Sequence, residues 1–326
     1  MANDNLGIVI IGRNEGERLS RCINSAIRET CNVVYVDSGS TDNSITIAKQ
    51  LGAEVVNLNL SIPFTAARAR NSGFDLLNTL YPSVIYVQFI DGDCELVEGW
   101  IKKGLDFLGT NPQFAVVCGR RRERFPNASI YNLLCDLEWD TPVGETKSCG
   151  GDALMRVDAV KAVNGFNGNL IAGEEPELCV RLRQASWKIF RLDAEMTWHD
   201  AAITRFKQWW KRTQRGGYAF AEGAFLHGAP PERHWVKESR SAWFWGGIIP
   251  VMALIAAIFN ANAGWAVLLI YPLQVGRLAL LGKHMPKINW LRAYFLVVGK
   301  FPELLGQLQF LWHRLMGSRS RLIEYK

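Results

Sequence analysis

A chain of 326 residues is long enough to bury a substantial core, as one generous domain or two modest ones. Its formal charge of +6 and pI near 8.9 suit anionic partners, but no lysine-rich tail or nucleic-acid module accompanies them, so phosphates and acidic lipids are expected and nucleic acid is not. Hydrophobic residues make up 48% of the chain and crowd into its last third, which sets that third apart from a fully soluble protein.

The seven cysteines, Cys22, Cys31, Cys94, Cys118, Cys135, Cys149 and Cys179, form no CxxC pair and read as reduced thiols of a cytosolic domain. The opening MANDNLGIVI lacks the basic and long apolar regions of a signal peptide, so the first domain is expected to stay in the cytoplasm.

In chain order, Leu6 to Gly12 is a short apolar run that predicts a strand, and Glu15 to Arg28 repeats apolar residues at helical spacing. Asn32 to Asp37 predicts a second strand, Ser44 to Leu51 a helix, and Ala53 to Leu58 a third strand. A helix over Thr65 to Leu80 leads to a buried strand over Val84 to Ile90. Then come a helix at Trp100 to Leu108, a strand at Phe114 to Gly119, a helix at Glu175 to Gln184 and a strand at Trp187 to Leu192. Alternation at these lengths implies parallel βαβ units and a doubly wound α/β sheet ending near residue 200.

Beyond it, Ile203 to Leu226 interleaves Phe206, Trp209, Trp210, Tyr218 and Phe220 with Arg205, Lys207, Lys211, Arg212 and Arg215. Such a segment suits a helix lying at a lipid headgroup layer, or an amphipathic helix docked on the domain. Residues 242–259 carry no charge and 263–281 only Arg277, so both are expected to span a bilayer, with buried core helices as the alternative. The uncharged link at 260–264 and the flanking Arg277, Lys283 and Lys287 put both ends of this hairpin in the cytoplasm. Trp290 to Val298 and Phe301 to Met316 are interrupted by polar residues and read as interfacial. The expected segments are 1–202 for the α/β domain, 203–238 for the amphipathic region and 239–326 for the membrane region.

Chemistry is carried first by VIYVQFIDGDCEL, in which a buried strand ends in Asp91-Gly92-Asp93. Two carboxylates just beyond a strand's carboxyl end can reach one divalent cation where ligands of open α/β sheets collect, although Asp-x-Asp alone is commonly a solvated turn. The first strand exits into Arg13-Asn14-Glu15, the second into Asp37-Ser38-Gly39-Ser40-Thr41-Asp42, and the helix from Thr65 contains Ala-Arg-Ala-Arg70-Asn71-Ser-Gly.

Together these motifs resemble the family 2 glycosyltransferases, from about Leu6 to His199, with Ser38 replacing the second Asp of the family's Val-Asp-Asp-Gly-Ser-Thr-Asp element. The resemblance implies a GT-A nucleotide-diphospho-sugar transferase fold, with Asp37 at the base or ribose and Arg70 and Asn71 behind the nucleotide. Arg13, Asn14, Glu15 and Ser38 would lie at the pocket rim. It also implies Asp93 as the ligand of Mn2+ or Mg2+, with Asp91 reaching the ribose or the metal and His199 as a further ligand. Gly173 to Leu178 (GEEPEL) resembles the family's Gly-Glu-Asp-x-Glu-Leu element, which makes Glu175 the general base with Glu174 beside it. Gly150, Gly151 and Asp152 would line the donor sugar. Arg120, Arg121, Arg122 and Arg124 read as a solvated loop or, facing a membrane, as a site for a lipid-linked phosphate acceptor.

The expected activity is metal-dependent, inverting sugar transfer from a nucleotide-diphosphate sugar to a lipid-linked or saccharide acceptor at the cytoplasmic face of an inner membrane. A noncatalytic nucleotide-sugar-binding scaffold is the alternative. A nucleotidyltransferase would need a lysine-bearing glycine loop where this chain has GRNEGER, and a processive synthase a Gln-x-x-Arg-Trp element where it has QWWKR.

Overall fold

The computed structural model describes residues 4–317 and residue 323, so the extreme ends of the expected 1–202 and 239–326 segments lie outside the described residues. The chain divides into two compact units, Met1–Thr204 and Arg205–Lys326.

The first unit begins with β1 (Leu6–Gly12), α1 (Glu17–Ile27), β2 (Val33–Asp37), α2 (Ser44–Gln50), β3 (Glu54–Asn57), α3 (Ala66–Leu80) and β4 (Tyr86–Asp91). β1 pairs in parallel with β2 and β4, and β2 with β3. Both faces of β1 and β2 are covered, which is why they read as unbroken apolar runs rather than alternations. Leu19, Cys22, Ile23 and Ala26 of α1 recur every three or four residues and form its buried face. Register brings Gly12 opposite Asp37 and Ile11 opposite Asp91, so the exit turns of β1, β2 and β4 share one sheet edge.

Beyond β4 the chain adds β5 (Cys94–Leu96), α4 (Trp100–Thr110), β6 (Phe114–Glu123), α5 (Ile130–Glu138), β7 (Gly144–Glu145), β8 (Ala153–Arg156), α6 (Val157–Ala162), α7 (Glu174–Gln184) and β9 (Lys188–His199). The sheet order is β3-β2-β1-β4-β8-β6-β9-β5, with β7 beside β9. This half departs from the parallel expectation: of the eight strand pairings among the described residues, four are parallel and four antiparallel. β5, β7 and β8 are too short to carry a two-residue period. The arginine run also differs from a loop, because β6 continues through Arg120, Arg121 and Arg122 to Glu123.

The second unit contains α8 (Phe206–His227), α9 (Val236–Trp243), α10 (Ile249–Phe259), α11 (Ala261–Leu268), α12 (Ile270–Leu280), α13 (Pro286–Val298) and α14 (Lys300–Leu315). A widened turn, Phe244–Ile248, joins α9 to α10 just before Pro250, whose missing N–H removes one helical bond and favours such a turn. Val236–Phe259 and Ala261–Leu280 are thereby continuous helices long and apolar enough to cross a membrane. Their large side chains are turned outward: Ile258 is 74% exposed and Leu280 83%. α8 and α14 approach backbone to backbone at glycines, since a Cβ at Gly217 would meet the Glu303 carbonyl at 2.0 Å and one at Gly306 the Gln214 carbonyl at 2.0 Å. Tyr218 packs edge-on against Phe310 beside this crossing.

Candidate active site

The loops leaving β1 and β2 are laced together. Asp37 accepts hydrogen bonds from the Gly39 and Ser40 amides at 2.9 and 2.8 Å and from the Tyr35 hydroxyl at 3.0 Å. Its carboxylate therefore shapes the turn, and the short Gly-Ser sequence lets the chain fold back onto it. Asn14, at φ 57°, accepts from the Thr41 amide at 2.7 Å, while its own amide donates to Ser40 Oγ at 2.9 Å. Glu15 pairs with Arg18 at 2.9 Å, and the Arg13 guanidinium lies over the Phe64 ring. Ser38 is buried behind the turn.

Next to this loop pair is a buried charge cluster. Arg70, on α3, donates to Asp91 at 2.7 Å and to Glu174 at 2.6 Å. Arg121, on β6, meets Asp152 at 2.9 Å and Asp91 at 3.7 Å. The β4–β8 register, with Phe89 opposite Ala153, sets Asp152 beside Asp91, whose amide donates to Asp152 at 3.1 Å. The Thr197 hydroxyl donates to the other Asp152 oxygen at 2.8 Å. Burial works against both guanidinium charges, and the surrounding carboxylates outweigh it, so Arg70 and Arg121 are held firmly protonated. A Cβ at Gly151 would stand 3.0 to 3.2 Å from Arg121, Arg70 and Asp91, so the glycine keeps a small space at the meeting point of these charges.

Asp93 faces elsewhere. The turn at Gly92, whose amide donates to the Ile11 carbonyl, breaks strand alternation between the two aspartates. Antiparallel β5–β9 pairing sets Cys94 opposite His199, and His199 Nε2 consequently lies 3.4 Å from Asp93 Oδ1. His199 Nδ1 is 3.7 Å from Glu123, and Trp139 meets the imidazole edge-on. Asp93 and His199 are each 8% exposed. One ligand atom from each of Asp93, Cys94 and His199 lies within 4.8 Å of the others. A carboxylate and an imidazole at this spacing fit Mn2+ or Mg2+ with positions left for water and phosphate oxygens. The Cys94 thiol, pushed up by burial, is a poor partner for a hard cation.

Glu175, the second residue of α7, is buried, 4% exposed. It accepts from the Cys149 amide at 2.6 Å and from the Cys149 and Cys179 thiols at 2.9 Å each. Burial pushes its carboxyl above the usual range, and the bonds from Cys149 and Cys179 pull in the opposite direction. Glu174 instead turns to Arg70, and Glu177 is bound by Arg181 at 2.7 Å.

The structure thus brings together Arg70, Asp91, Gly151, Asp152 and Glu174 in one cluster and Asp93 with His199 in another. Asp91 is directed to arginines rather than to His199. Asn71 does not join them: it brackets Phe166, donating to its carbonyl at 2.7 Å and accepting from its amide at 2.9 Å. The arginine run is not a free phosphate site. Arg120 pairs with Asp136 and Asp140, Arg122 with Asp136 and Glu195, and Arg124 with Glu95. Glu123, Trp139 and Thr197 are site neighbours that the sequence did not single out, and Arg121 stood out only as part of the arginine run. Strand alternation was the available signal, since Arg121 and Glu123 share a face of β6.

Residues 7–147 match the family model described as Glycosyl transferase family 2. The glycosyltransferase AglE of Haloferax volcanii is 25% identical over 198 residues, 56% of this chain and 63% of that protein. An uncharacterized glycosyltransferase of Rickettsia conorii is 45% identical over 53 residues, 16% of this chain and 19% of its own length. The chain therefore spans less than two thirds of these relatives. Among solved structures, the mannosyltransferase PcManGT from Pyrobaculum calidifontis, in complex with GDP-Man and Mn2+, has a TM-score of 0.64 at 15% identity, covering 95% of this chain and 88% of that one. This likeness establishes the GT-A fold.

Proposed function

We propose that this chain, whose residues 7–147 match glycosyl transferase family 2, transfers a sugar from a nucleoside-diphosphate sugar to a saccharide or lipid-linked acceptor at the cytoplasmic face of a membrane. The observation that carries this reading is the Asp93–His199 pair at 3.4 Å, set by the β5–β9 register at the sheet edge where ligands of open α/β folds bind. These two residues would hold a divalent cation, which supplies positive charge to a departing diphosphate. The Mn2+ and GDP-mannose in the similarly folded Pyrobaculum enzyme support a cation and a nucleotide sugar here.

The nucleotide side of the pocket is assigned to the laced β1 and β2 loops, with Asp37 holding the turn and Arg13 and Asn14 at its rim. Arg70 and Arg121 hold Asp91 and Asp152 in fixed positions beside Gly151, where the glycine leaves room for a sugar hydroxyl. Glu175 is the base by its place in the GEEPEL element: it takes the proton of the acceptor hydroxyl as that oxygen bonds to the anomeric carbon and the bond to the diphosphate breaks on the opposite side, inverting the centre. Its raised affinity for a proton suits base chemistry closer to neutral pH than an ordinary glutamate. The two long apolar helices, with Ile258 and Leu280 exposed, support membrane association of the second unit.

The test is transfer of labelled sugar from a panel of nucleoside-diphosphate sugars to membrane lipid extracts and saccharides, with Mn2+, with Mg2+ and with a chelator. Chelator-sensitive transfer from one donor supports the reading. Absence of transfer and donor hydrolysis across the panel contradicts it.

A further inference from the structure

Cys149 lies just before Gly150-Gly151, and Cys179 lies one helical turn beyond Glu175 on α7. The two Sγ atoms are 3.7 Å apart, and each is 2.9 Å from Glu175 Oε1. All three residues are buried, with Cys179 at 0% and Cys149 at 9% exposure, and their ligand atoms lie within 4.8 Å of one another. Two thiolates on a tetrahedral zinc ion, at Zn–S distances of about 2.3 Å, stand about 3.8 Å apart. The two sulfurs therefore already have the separation such an ion requires. A sulfur and a carboxylate oxygen on the same ion stand about 3.5 Å apart, so only the Glu175 carboxylate must retreat, by roughly half an ångström.

We propose that Cys149, Cys179 and Glu175 form a second metal site, which takes a thiophilic divalent ion of the zinc type and is separate from the hard-cation site at Asp93 and His199. Soft sulfur ligands select such an ion over Mn2+ or Mg2+, which prefer oxygen. Binding replaces two S–H bonds by two sulfur–metal bonds, releases two protons to solvent and involves no change of oxidation state. Three protein ligands leave one coordination position open. A consequence rests on the reading of Glu175 as the base: the occupied site withdraws that carboxylate from proton transfer, so zinc inhibits the reaction that Mn2+ supports.

Co2+ reports on the site because thiolate ligation gives a near-ultraviolet sulfur-to-cobalt charge-transfer band that oxygen and nitrogen ligands do not. Full-length, reduced, metal-free protein in detergent is titrated with Co2+ and then with Zn2+. The expected result is a one-equivalent charge-transfer band, displaced by Zn2+ and not by excess Mn2+. It is weakened about tenfold or more in affinity by Cys149→Ser and by Cys179→Ser and kept in Cys94→Ser. Unchanged melting temperatures of the metal-free variants show that each is folded, and Cys179→Ala repeats the test should the serine variant melt early. No band, or a band lost only in Cys94→Ser, overturns the proposal. In the transfer assay, Zn2+ added over saturating Mn2+ is expected to inhibit the wild type but to lose potency about tenfold or more against Cys179→Ser. Equal inhibition of both overturns the regulatory consequence. A thiolate band in a protein that transfers no sugar under any condition leaves the metal site standing and refutes the transferase reading.

Discussion

Arg70 donates to Asp91 across 2.7 Å while its own side chain is only 3% exposed, so the first carboxylate of the Asp-Gly-Asp turn is fixed from inside the protein. The same guanidinium reaches Glu174 at 2.6 Å, tying the strand end that carries Asp91 to the first turn of α7. Removing Arg70 takes the nearest counter-charge from Glu174, only 12% exposed, and leaves Asp91, 28% exposed, to Arg121 at 3.7 Å. Arg70→Met is therefore expected to destabilise the protein by about 3–5 kcal/mol and to abolish transfer. Arg70→Lys should not restore the wild-type state, because one ammonium cannot reproduce the two-armed fork. Denaturant melts and transfer rates of both variants check this; wild-type stability in Arg70→Met would contradict it.

As the proposed base, Glu175 sets the expected pH dependence. A base acts when deprotonated, and burial raises the pKa of this one above the ordinary value. Activity should accordingly fall on acidification through that raised value, at a higher pH than the value of about 4.3 typical of an exposed glutamate. Glu175→Gln should lower turnover about 10²- to 10⁴-fold, remove this acidic limb and leave donor affinity near wild type. The pH profile of kcat/KM in both proteins decides it, and an unaltered limb in the variant removes Glu175 from the role.

Glu222 on α8 gives a stability prediction independent of catalysis. Burial pushes its carboxyl up to about 7. The folded state thus holds this proton more tightly than the unfolded state, whose value is near 4.3. Its contribution is fully present below the unfolded value and is lost as pH rises through about 7. Glu222→Gln should flatten this loss, so the melting temperature of the wild type declines relative to the variant between roughly pH 5 and 8. Parallel melting curves across that range would contradict the assignment.

Gly217 and Gly306 allow α8 and α14 to touch through their backbones. A side chain at either position has no room, so Gly306→Val should separate the helices and destabilise the second unit by about 1–3 kcal/mol. Melting temperature in detergent reads the effect, and a stability equal to wild type would show that the helices do not meet there.

The legible parts of this molecule were local. β1, β2 and β4 announce themselves as apolar runs closed by polar turns, so the positions of Asn14, Asp37 and Asp91 at one sheet edge follow from strand direction alone. His199 as a partner for Asp93 depends on the antiparallel register of a three-residue strand, β5, with a strand about a hundred residues later, which no local period encodes. Its selection came from the family resemblance. Taken as one charge cluster, the arginine run hides the alternation along β6 that sorts its side chains. Arg121 turns to Asp152, while Arg120 and Arg122 face Asp136. Asn71 illustrates the opposite limit: its neighbours fitted a nucleotide pocket, but its amide is used up on the backbone of Phe166.

In the proposed function Asp93 and His199 hold the cation through which a nucleoside-diphosphate sugar is bound. This is tested most directly by thermal-shift titration of the full-length protein with a panel of such donors, with and without Mn2+, in the wild type and in Asp93→Ala. A ligand that binds the native state at a hundred times its Kd stabilises it by about 2.7 kcal/mol. A clear rise in melting temperature is expected for one donor with Mn2+, little rise without it, and none in Asp93→Ala. A donor-induced rise that is the same without metal or in Asp93→Ala, or no rise with any donor, would contradict it.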